Sequence, residues 1–383
     1  MKKILYIGGF CLPDRNAAAQ RVISNSKIFR ELGYEVTLVG LDRKIVSKEA
    51  FDYEGFECVN LPYPNGIVDW LKMLTSIKQY ISYINNANPD IVIAYNHPAV
   101  ALNRLSNFNR KKGIITVSDC TEWYEPQGGV LFRLIKGWDI NQRMYKVHCK
   151  LNGIITISRF LDDFYQNQGM KTLLLPPLVD KHDPKWSAVA NNDVETLSLI
   201  YAGSPAGTKD RLDYMIDALQ EVSGQSSKFQ FNIVGITEDE YRSMYGVDDN
   251  KAIPSFVHFF GRMPHEDVIK MLKSSDFQIF LRENHLANQA GFPTKFTETI
   301  SAGTIVLTNP SSNIQDYMIE GVNSFLLDIS DKDKLVKTLL IPLSLHKTEI
   351  LKRKSTIDSD IFDYRNYISL TENFINSLYE KNT

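Results

Sequence analysis

At 383 residues the chain is longer than a single hydrophobic core supports well, so two domains are expected. Its 43% hydrophobic and 23% charged residues are those of a water-soluble globular protein, and a net charge of −2 gives no sign of nucleic-acid binding. That near-neutral total hides an asymmetry: residues 1–180 carry 22 Lys+Arg against 17 Asp+Glu, a net of +5, and the remainder carries 21 against 28, a net of −7. A basic half joined to an acidic half suggests that the two face different partners.

The N-terminus, MKKILYIGGFC, superficially resembles a lipoprotein signal. Its apolar run, Ile4–Ile7, is too short for one, and bulky Phe10 stands before Cys11 where a small residue is wanted, so it reads as a first buried strand. A helix follows over about Ala17–Leu32, stopped by Gly33-Tyr34, and Glu35–Gly40 gives the second strand. The same beat continues through strands at Ile91–Ala94, Ile114–Val117, Gly153–Ile157 and Leu173–Leu175. Residues 176–194 are polar, contain prolines and have no period, and residues 179–194 are taken as an interdomain linker.

A second series then begins, with strands at Leu197–Ala202, Phe229–Val234, Val257–Phe260, Phe277–Phe280, Ile305–Thr308 and Ser324–Leu327. Helices are expected at Lys209–Val222, His265–Lys273, Thr294–Ala302 and Ile314–Glu320, and a last one at Tyr364–Tyr379. Short apolar runs alternating with amphipathic segments mark an α/β protein of two Rossmann-like, doubly wound domains, 1–178 and 195–363. No stretch of 18 apolar residues occurs, and Cys11, Cys58, Cys120 and Cys149 are scattered, without a CxxC or zinc spacing. A cytoplasmic protein with free thiols is the expectation.

In such sheets ligands bind beyond the carboxyl ends of the strands. The dinucleotide fingerprint GxGxxG is missing after the first strand, which weighs against an NAD or FAD enzyme. The chemistry concentrates instead in residues 282–303, RENHLANQAGFPTKFTETISAG. Gly291 permits close backbone approach, Phe292 follows it, Pro293 suits a helix start, and Thr294 is placed to cap. The helix N-terminus suits a phosphate, Lys295 adds positive charge, and Glu298 lies one turn in, where its carboxylate can accept two hydrogen bonds from a ribose diol. A solvated helix carboxylate is the plainer reading of Glu298.

This stretch resembles the donor-binding motif of retaining glycosyltransferases of family 4, especially those of bacterial polysaccharide assembly: a Glu, seven residues, a second Glu, then a small-residue turn and a strand. Residues 291–298 and Ile300-Ser301-Ala302-Gly303-Thr304-Ile305-Val306 match its second half. The resemblance implies the GT-B arrangement, with the two domains facing across a cleft, the helix 364–383 packing back on the first, and a donor in the second. It gives Glu298 the ribose hydroxyls and the helix start the phosphate. The first acid is replaced by Ala290, and Glu283, Asn288 or Gln289 are candidates to stand in.

Further pieces fit the same frame. Residues 201–210, YAGSPAGTKD, resemble the family's diphosphate loop: Lys209 matches its lysine, and Ser204 stands where an arginine is expected. A lysine at a helix start is electrostatically unfavourable, which favours an anion nearby, although a lone lysine there is also unremarkable. Arg262, in FGRMPHED, is either a base or phosphate contact or a surface-turn arginine. LPPLVD (175–180) and GIITIS (153–158) resemble the entrance to the linker and the last strand of the first domain.

On the acceptor side, Asn16-Ala17-Ala18-Ala19 takes the place of the family's Gly-Gly; Ala17 stays small enough for a diphosphate, and Arg15 or Arg21 is near enough to add charge. His97 follows a strand where family members often place a His facing the donor sugar; packing before Pro98 is the alternative. Asp119, Glu122 and Glu125 put three carboxylates after the strand Ile114–Val117, with Trp123 and Tyr124 able to stack on a sugar, unless this is a solvated loop. Residues 131–151 carry Arg133, Lys136, Arg143, Lys146 and Lys150 against one acid, Asp139, with interleaved Phe132, Leu134, Ile135 and Trp138. The segment suits peripheral contact with the inner face of an anionic membrane, or a buried helix with a basic outer face.

The resemblance therefore implies a UDP- or GDP-linked donor, a hexosyl or N-acetylhexosaminyl group, and a glycan, lipid-linked or protein-linked acceptor. Glu298, Lys209 and His97 form the catalytic set, with transfer resting on preorganised electrostatics. No cofactor and no metal are expected, because Asp331/Asp333 and Asp358/Asp360 fall in polar segments away from the motif. A nucleotide-sugar epimerase of the same fold and a catalytically weak binding subunit are the alternatives.

Overall fold

The computed structural model describes residues 1–13, 16–126, 128–187, 196–205, 210–225, 228–248 and 250–380. The chain divides into two units. The first comprises Met1–Leu178, Gln289–Phe292 and Asp363–Thr383, and the second comprises Val179–Asn288 and Pro293–Phe362.

The first unit runs β1 (Lys3–Gly8), α1 (Ala17–Glu31), β2 (Glu35–Asp42), β3 (Glu49–Tyr53), β4 (Phe56–Pro62), α2 (Gly66–Thr75), α3 (Lys78–Ala87), β5 (Ile91–Tyr95), α4 (Ala99–Lys111), β6 (Ile115–Cys120), α5 (Val130–Gln142), β7 (Gly153–Thr156), α6 (Arg159–Gln166) and β8 (Thr172–Leu174). Its sheet has the order β3-β4-β2-β1-β5-β6-β7-β8, parallel throughout except for β3, which pairs antiparallel with β4. The unbroken apolar runs follow from helices on both faces. Ile4 and Tyr6 of β1 join Leu38 and Ile93 in one core, while Leu5 and Ile7 join Val39 and Val92 in the other.

The β3–β4 hairpin escapes the sequence reading because β3 is short and mostly exposed; Glu54 and Gly55, both at positive φ, make its two-residue turn.

The second unit runs β9 (Leu197–Ala202), α7 (Leu212–Ser223), β10 (Phe229–Val234), α8 (Glu238–Tyr245), β11 (Val257–Gly261), α9 (His265–Ser274), β12 (Phe277–Phe280), the short α10 (Leu286–Ala290, whose last two residues are counted with the first unit), α11 (Thr294–Ser301), β13 (Ile305–Thr308), β14 (Ser324–Leu326), α12 (Lys332–Leu343) and α13 (Lys347–Lys354). All six strands are parallel, in the order β11-β10-β9-β12-β13-β14. Finally α14 (Ile368–Tyr379) adds Phe374, Ile375 and Leu378 to the first core of the first unit. Two doubly wound α/β units were legible in the sequence.

Two helices are corrected. Ile314–Glu320 forms only a 3-10 turn, Ile314–Tyr317: the Asn323 side chain takes the Ile319 N–H at 2.7 Å and the Tyr317 carbonyl at 2.9 Å, groups that a longer helix would need. Tyr364–Tyr367 is likewise a 3-10 turn ahead of α14.

Candidate functional site

In the second sheet the strand order reverses at β9, which lies between β10 and β12. Loops leaving β9 and β12 diverge there, the usual position of a ligand crevice in an open α/β sheet. Both segments singled out in the sequence start at this point. Gly203, directly after β9, has φ 135°, a conformation that favours glycine, and a Cβ on it would lie 2.8 Å from Lys295 Nζ and displace the end of that lysine.

Lys295 Nζ lies 2.8 Å from Asp210 Oδ2, Arg282 Nε lies 3.1 Å from Asp210 Oδ1, and Tyr201 donates its hydroxyl to Oδ2 at 2.7 Å. Asp210 is 1% exposed. Burial pushes its carboxyl up, but Lys295 and Arg282 outweigh burial and hold it at about 2. Two cations thus share one carboxylate, which leaves a surplus positive charge in a largely desolvated place. Beside it begins α11, whose N-cap is Pro293, a residue that offers no side-chain cap. Thr294 is the first helical residue rather than the cap, and a helix N-terminus of this kind has affinity for an anion.

One turn further, Glu298 is half-buried, with Oε1 3.2 Å from Nε2 of His265, the first residue of α9. Sequence reading singled out Glu298 and Lys295 but assigned no role to Asp210, Arg282, Tyr201 or His265. The signal available was a run of polar residues directly after parallel strands; their pairing across 72 to 85 residues of sequence was not visible.

The loop after β12 is already internally bonded. Glu283 accepts from Arg211 at 2.6 Å and His285 at 2.8 Å, and these contacts hold its carboxyl below the usual range. Asn288 is buried, its amide donating to the Glu283 carbonyl at 2.8 Å. Neither is an uncommitted replacement for the first motif acid. Ala290, Phe292 and Pro293 are buried, and Gly291 and Thr294 are partly exposed. Ser204 is exposed, and Lys209 lies outside the described residues. Arg262 is a surface residue, its side chain 73% exposed and paired with Glu240 at 3.0 Å.

In the first unit Ala17 opens α1 at the surface, capped by Asn16, whose Oδ1 accepts from Ala19 N at 2.9 Å. Arg15 lies outside the described residues. Arg21 and Asp119 are corrected to interior positions. Asp119 is the penultimate residue of β6 and fully buried; its oxygens accept from Arg21 Nε and Nη2 at 2.8 to 3.1 Å and from the Tyr6 hydroxyl. Arg21 also donates to the Leu175 carbonyl at 2.8 Å, so the ion pair braces the chain where it leaves β8.

Trp123 is buried too, edge-on to Tyr145, Phe160 and Phe164, which leaves no face for a sugar. Glu122 is half-buried, accepting from Asn96 Nδ2 at 3.0 Å and from the Tyr124 hydroxyl. His97 is buried against Tyr80, and burial takes its imidazole down to about 4, so it is neutral at physiological pH. Arg143, read as part of a basic face, is 2% exposed and donates to the Glu122 carbonyl at 3.0 Å.

Among the described residues no three His, Cys, Asp or Glu side chains come together as a metal-ligand set. Asp331 caps α12, accepting from Lys334 N at 2.8 Å, and Asp358 accepts from Asp360 N at 3.1 Å.

Residues 184–351, which contain this entire cluster, match the family model described as Glycosyl transferases group 1. No curated protein matches the sequence. Solved structures share the fold over nearly the whole chain. Sucrose-phosphate synthase from Thermosynechococcus elongatus is 12% identical, with a TM-score of 0.68 and 99% of each chain covered. HepE of Anabaena, in complex with UDP and glucose, is 13% identical, with a TM-score of 0.68, covering 98% of this chain and 100% of the other. The catalytic domain of starch synthase IV from Arabidopsis thaliana, bound to ADP and acarbose, is 11% identical, with a TM-score of 0.69, covering 99% of this chain and 100% of the other. The two α/β units are therefore those of the GT-B fold.

Proposed function

We propose that this protein is a metal-independent, retaining glycosyltransferase of family 4 type, which moves a hexosyl or N-acetylhexosaminyl group from a UDP- or GDP-linked donor in the cytoplasm. The observation that carries the reading is the surplus positive charge of Lys295 and Arg282 over Asp210, beside the start of α11 and one turn before Glu298. A nucleoside diphosphate supplies what this arrangement lacks: an anion for the cations and helix N–H groups, and a vicinal diol for the carboxylate. Nucleoside diphosphates accompany two of the similar structures, which were solved with UDP and with ADP.

In this reading the diphosphate leaves with its charge stabilised by Lys295, Arg282 and the helix start, with Lys209, the lysine of the family-like diphosphate loop, as a further cation. The acceptor hydroxyl attacks from the same face. The catalytic contribution is electrostatic and preorganised, because the cations are held by Asp210 before the donor arrives. The acceptor is a glycan or a lipid- or protein-linked saccharide of bacterial surface-polysaccharide assembly, reached at the inner face of the membrane.

One observation favours a second reading, a binding subunit with weak turnover: Ala290 replaces the first motif acid, and Glu283 is committed to Arg211 and His285. Calorimetric titration with UDP, GDP, ADP and uridine, followed by a turnover assay with the matching nucleotide sugars, separates the readings. Diphosphate-dependent binding with acceptor-dependent release of the nucleotide supports the transferase. Binding without turnover supports the subunit, conversion of the donor without acceptor indicates an epimerase, and absence of nucleotide binding overturns all three.

A further inference from the structure

The second core of the first unit is covered by α2, α3 and α4, and two helices on this side remain apolar toward solvent. Not one of the ten residues of α2 is buried, and Ile67, Trp70 and Leu71, which share one helix face at i, i+3 and i+4, stand in the open, Ile67 at 80%. On α5, Val130, Leu134 and Trp138 form an i, i+4, i+8 stripe with Ile135 beside it; Leu134 is 65% and Trp138 54% exposed. Both helices pack on α4. Arg104 of α4 donates to the Thr75 carbonyl at the end of α2, and Asp139 of α5 accepts from Ala99 N at the start of α4 at 2.9 Å.

The charges sort in a particular way. Asp139, the one acid of α5, is turned onto α4, and Asp69 of α2 is paired with Lys72 at 3.0 Å. Arg133, Lys136, Lys146 and Lys150 are all exposed along and just after α5. Arg143 does not join them, because a π-turn at Arg143–Val147 swings it inward. Exposed leucine, isoleucine and tryptophan beside unbalanced lysine and arginine is the pattern of a surface that lies in a lipid interface. Among the described residues no helix is long and apolar enough to cross a membrane, so any attachment through these helices is peripheral.

We propose that α2 and α5 together form a docking face for an anionic bilayer, with the apolar residues entering the headgroup boundary and the basic residues of α5 meeting lipid phosphates. A second copy of this chain fits less well, since it would set cations against cations. The proposal deepens the acceptor side of the function proposed above. It rests on that reading only in so far as the docked enzyme meets a lipid-linked acceptor.

The test is flotation of the full chain with vesicles of phosphatidylcholine alone and of phosphatidylcholine with phosphatidylglycerol. It compares wild type, a Trp70→Glu/Leu71→Glu variant, an Ile135→Glu/Trp138→Glu variant and an Arg133→Glu/Lys136→Glu variant. All the altered side chains are exposed, and unchanged thermal midpoints and UDP affinity check that each variant is folded. Wild type should float with the anionic vesicles, at least tenfold more than with the neutral ones, and less as salt rises. Each variant should lose most of that partition. Wild type remaining with the soluble fraction, or an α2 variant floating as wild type does, would overturn the two-helix face. So would a dimer in solution that the same substitutions dissociate. A Glu298→Gln protein should float normally, so loss of catalysis and loss of docking are read independently.

Discussion

Lys295 and Asp210, 85 residues apart in sequence, form a buried ion pair at 2.8 Å, and Arg282 completes it from the other side of the carboxylate at 3.1 Å. Removing the shared acid with Asp210→Ala leaves buried Lys295 and partly buried Arg282 without their shared carboxylate, so a loss of about 3 kcal/mol is expected in urea unfolding. The same group sets an acid limit. Its folded carboxyl sits at about 2, below the ordinary 3.8, so its stabilisation is complete above the ordinary value and disappears as pH falls toward 2. Its share is about 2 kcal/mol, and Asp210→Ala should flatten the stability profile in that window.

Lys295→Met tests the ligand side of the pair. The variant should bind UDP at least about tenfold more weakly, in line with the loss of one charge-assisted hydrogen bond, with uridine affinity unchanged. Equal losses for the two ligands would mean that the lysine only supports the fold.

For Glu298 the expected outcome is kinetic. Glu298→Gln keeps the shape but removes the charge that grips the hydroxyls, so kcat/KM should fall by about 100-fold, or about 2.7 kcal/mol, while the thermal midpoint stays within a degree or two. Full activity in this variant would remove the carboxylate from the mechanism.

His97 gives a pH signature of its own. Burial takes its imidazole to about 4 from an ordinary 6.5. Between these values the unfolded chain binds a proton that the folded protein refuses, so stability is lost as pH falls from 6.5 toward 4, by about 3 kcal/mol. Urea midpoints at pH 7.5 and 4.5 should therefore differ less in His97→Phe than in wild type; the buried His148 shifts in the same direction and keeps part of the slope in both. A transferase rate that titrates near neutral pH owes that titration to another group.

Trp123→Ala should cost about 3–5 kcal/mol by opening the cluster with Tyr145, Phe160 and Phe164, with acceptor KM unchanged. A raised acceptor KM with unaltered stability would return Trp123 to the sugar site.

The sequence by itself determined the architecture, because strands buried on both faces must be continuously apolar, and such runs stand out at Ile4–Ile7, Ile91–Ala94 and Ile305–Thr308 against their polar surroundings. It also singled out Lys295 and Glu298 as candidates, since a glycine-proline turn leading into a helix is a local signal. What it could not decide was where a polar side chain at a strand end would point. Asp119 and Trp123 read as a cleft edge and proved interior, because Asp119 is still within β6 and Arg21 and Tyr6 reach it from α1 and β1 respectively. Asp210 and Arg282 carried no local mark, and their role exists only once the reversal of strand order at β9 brings two distant loops together. Periodicity is a property of neighbours along the chain; an ion pair between strand ends is a property of the folded sheet.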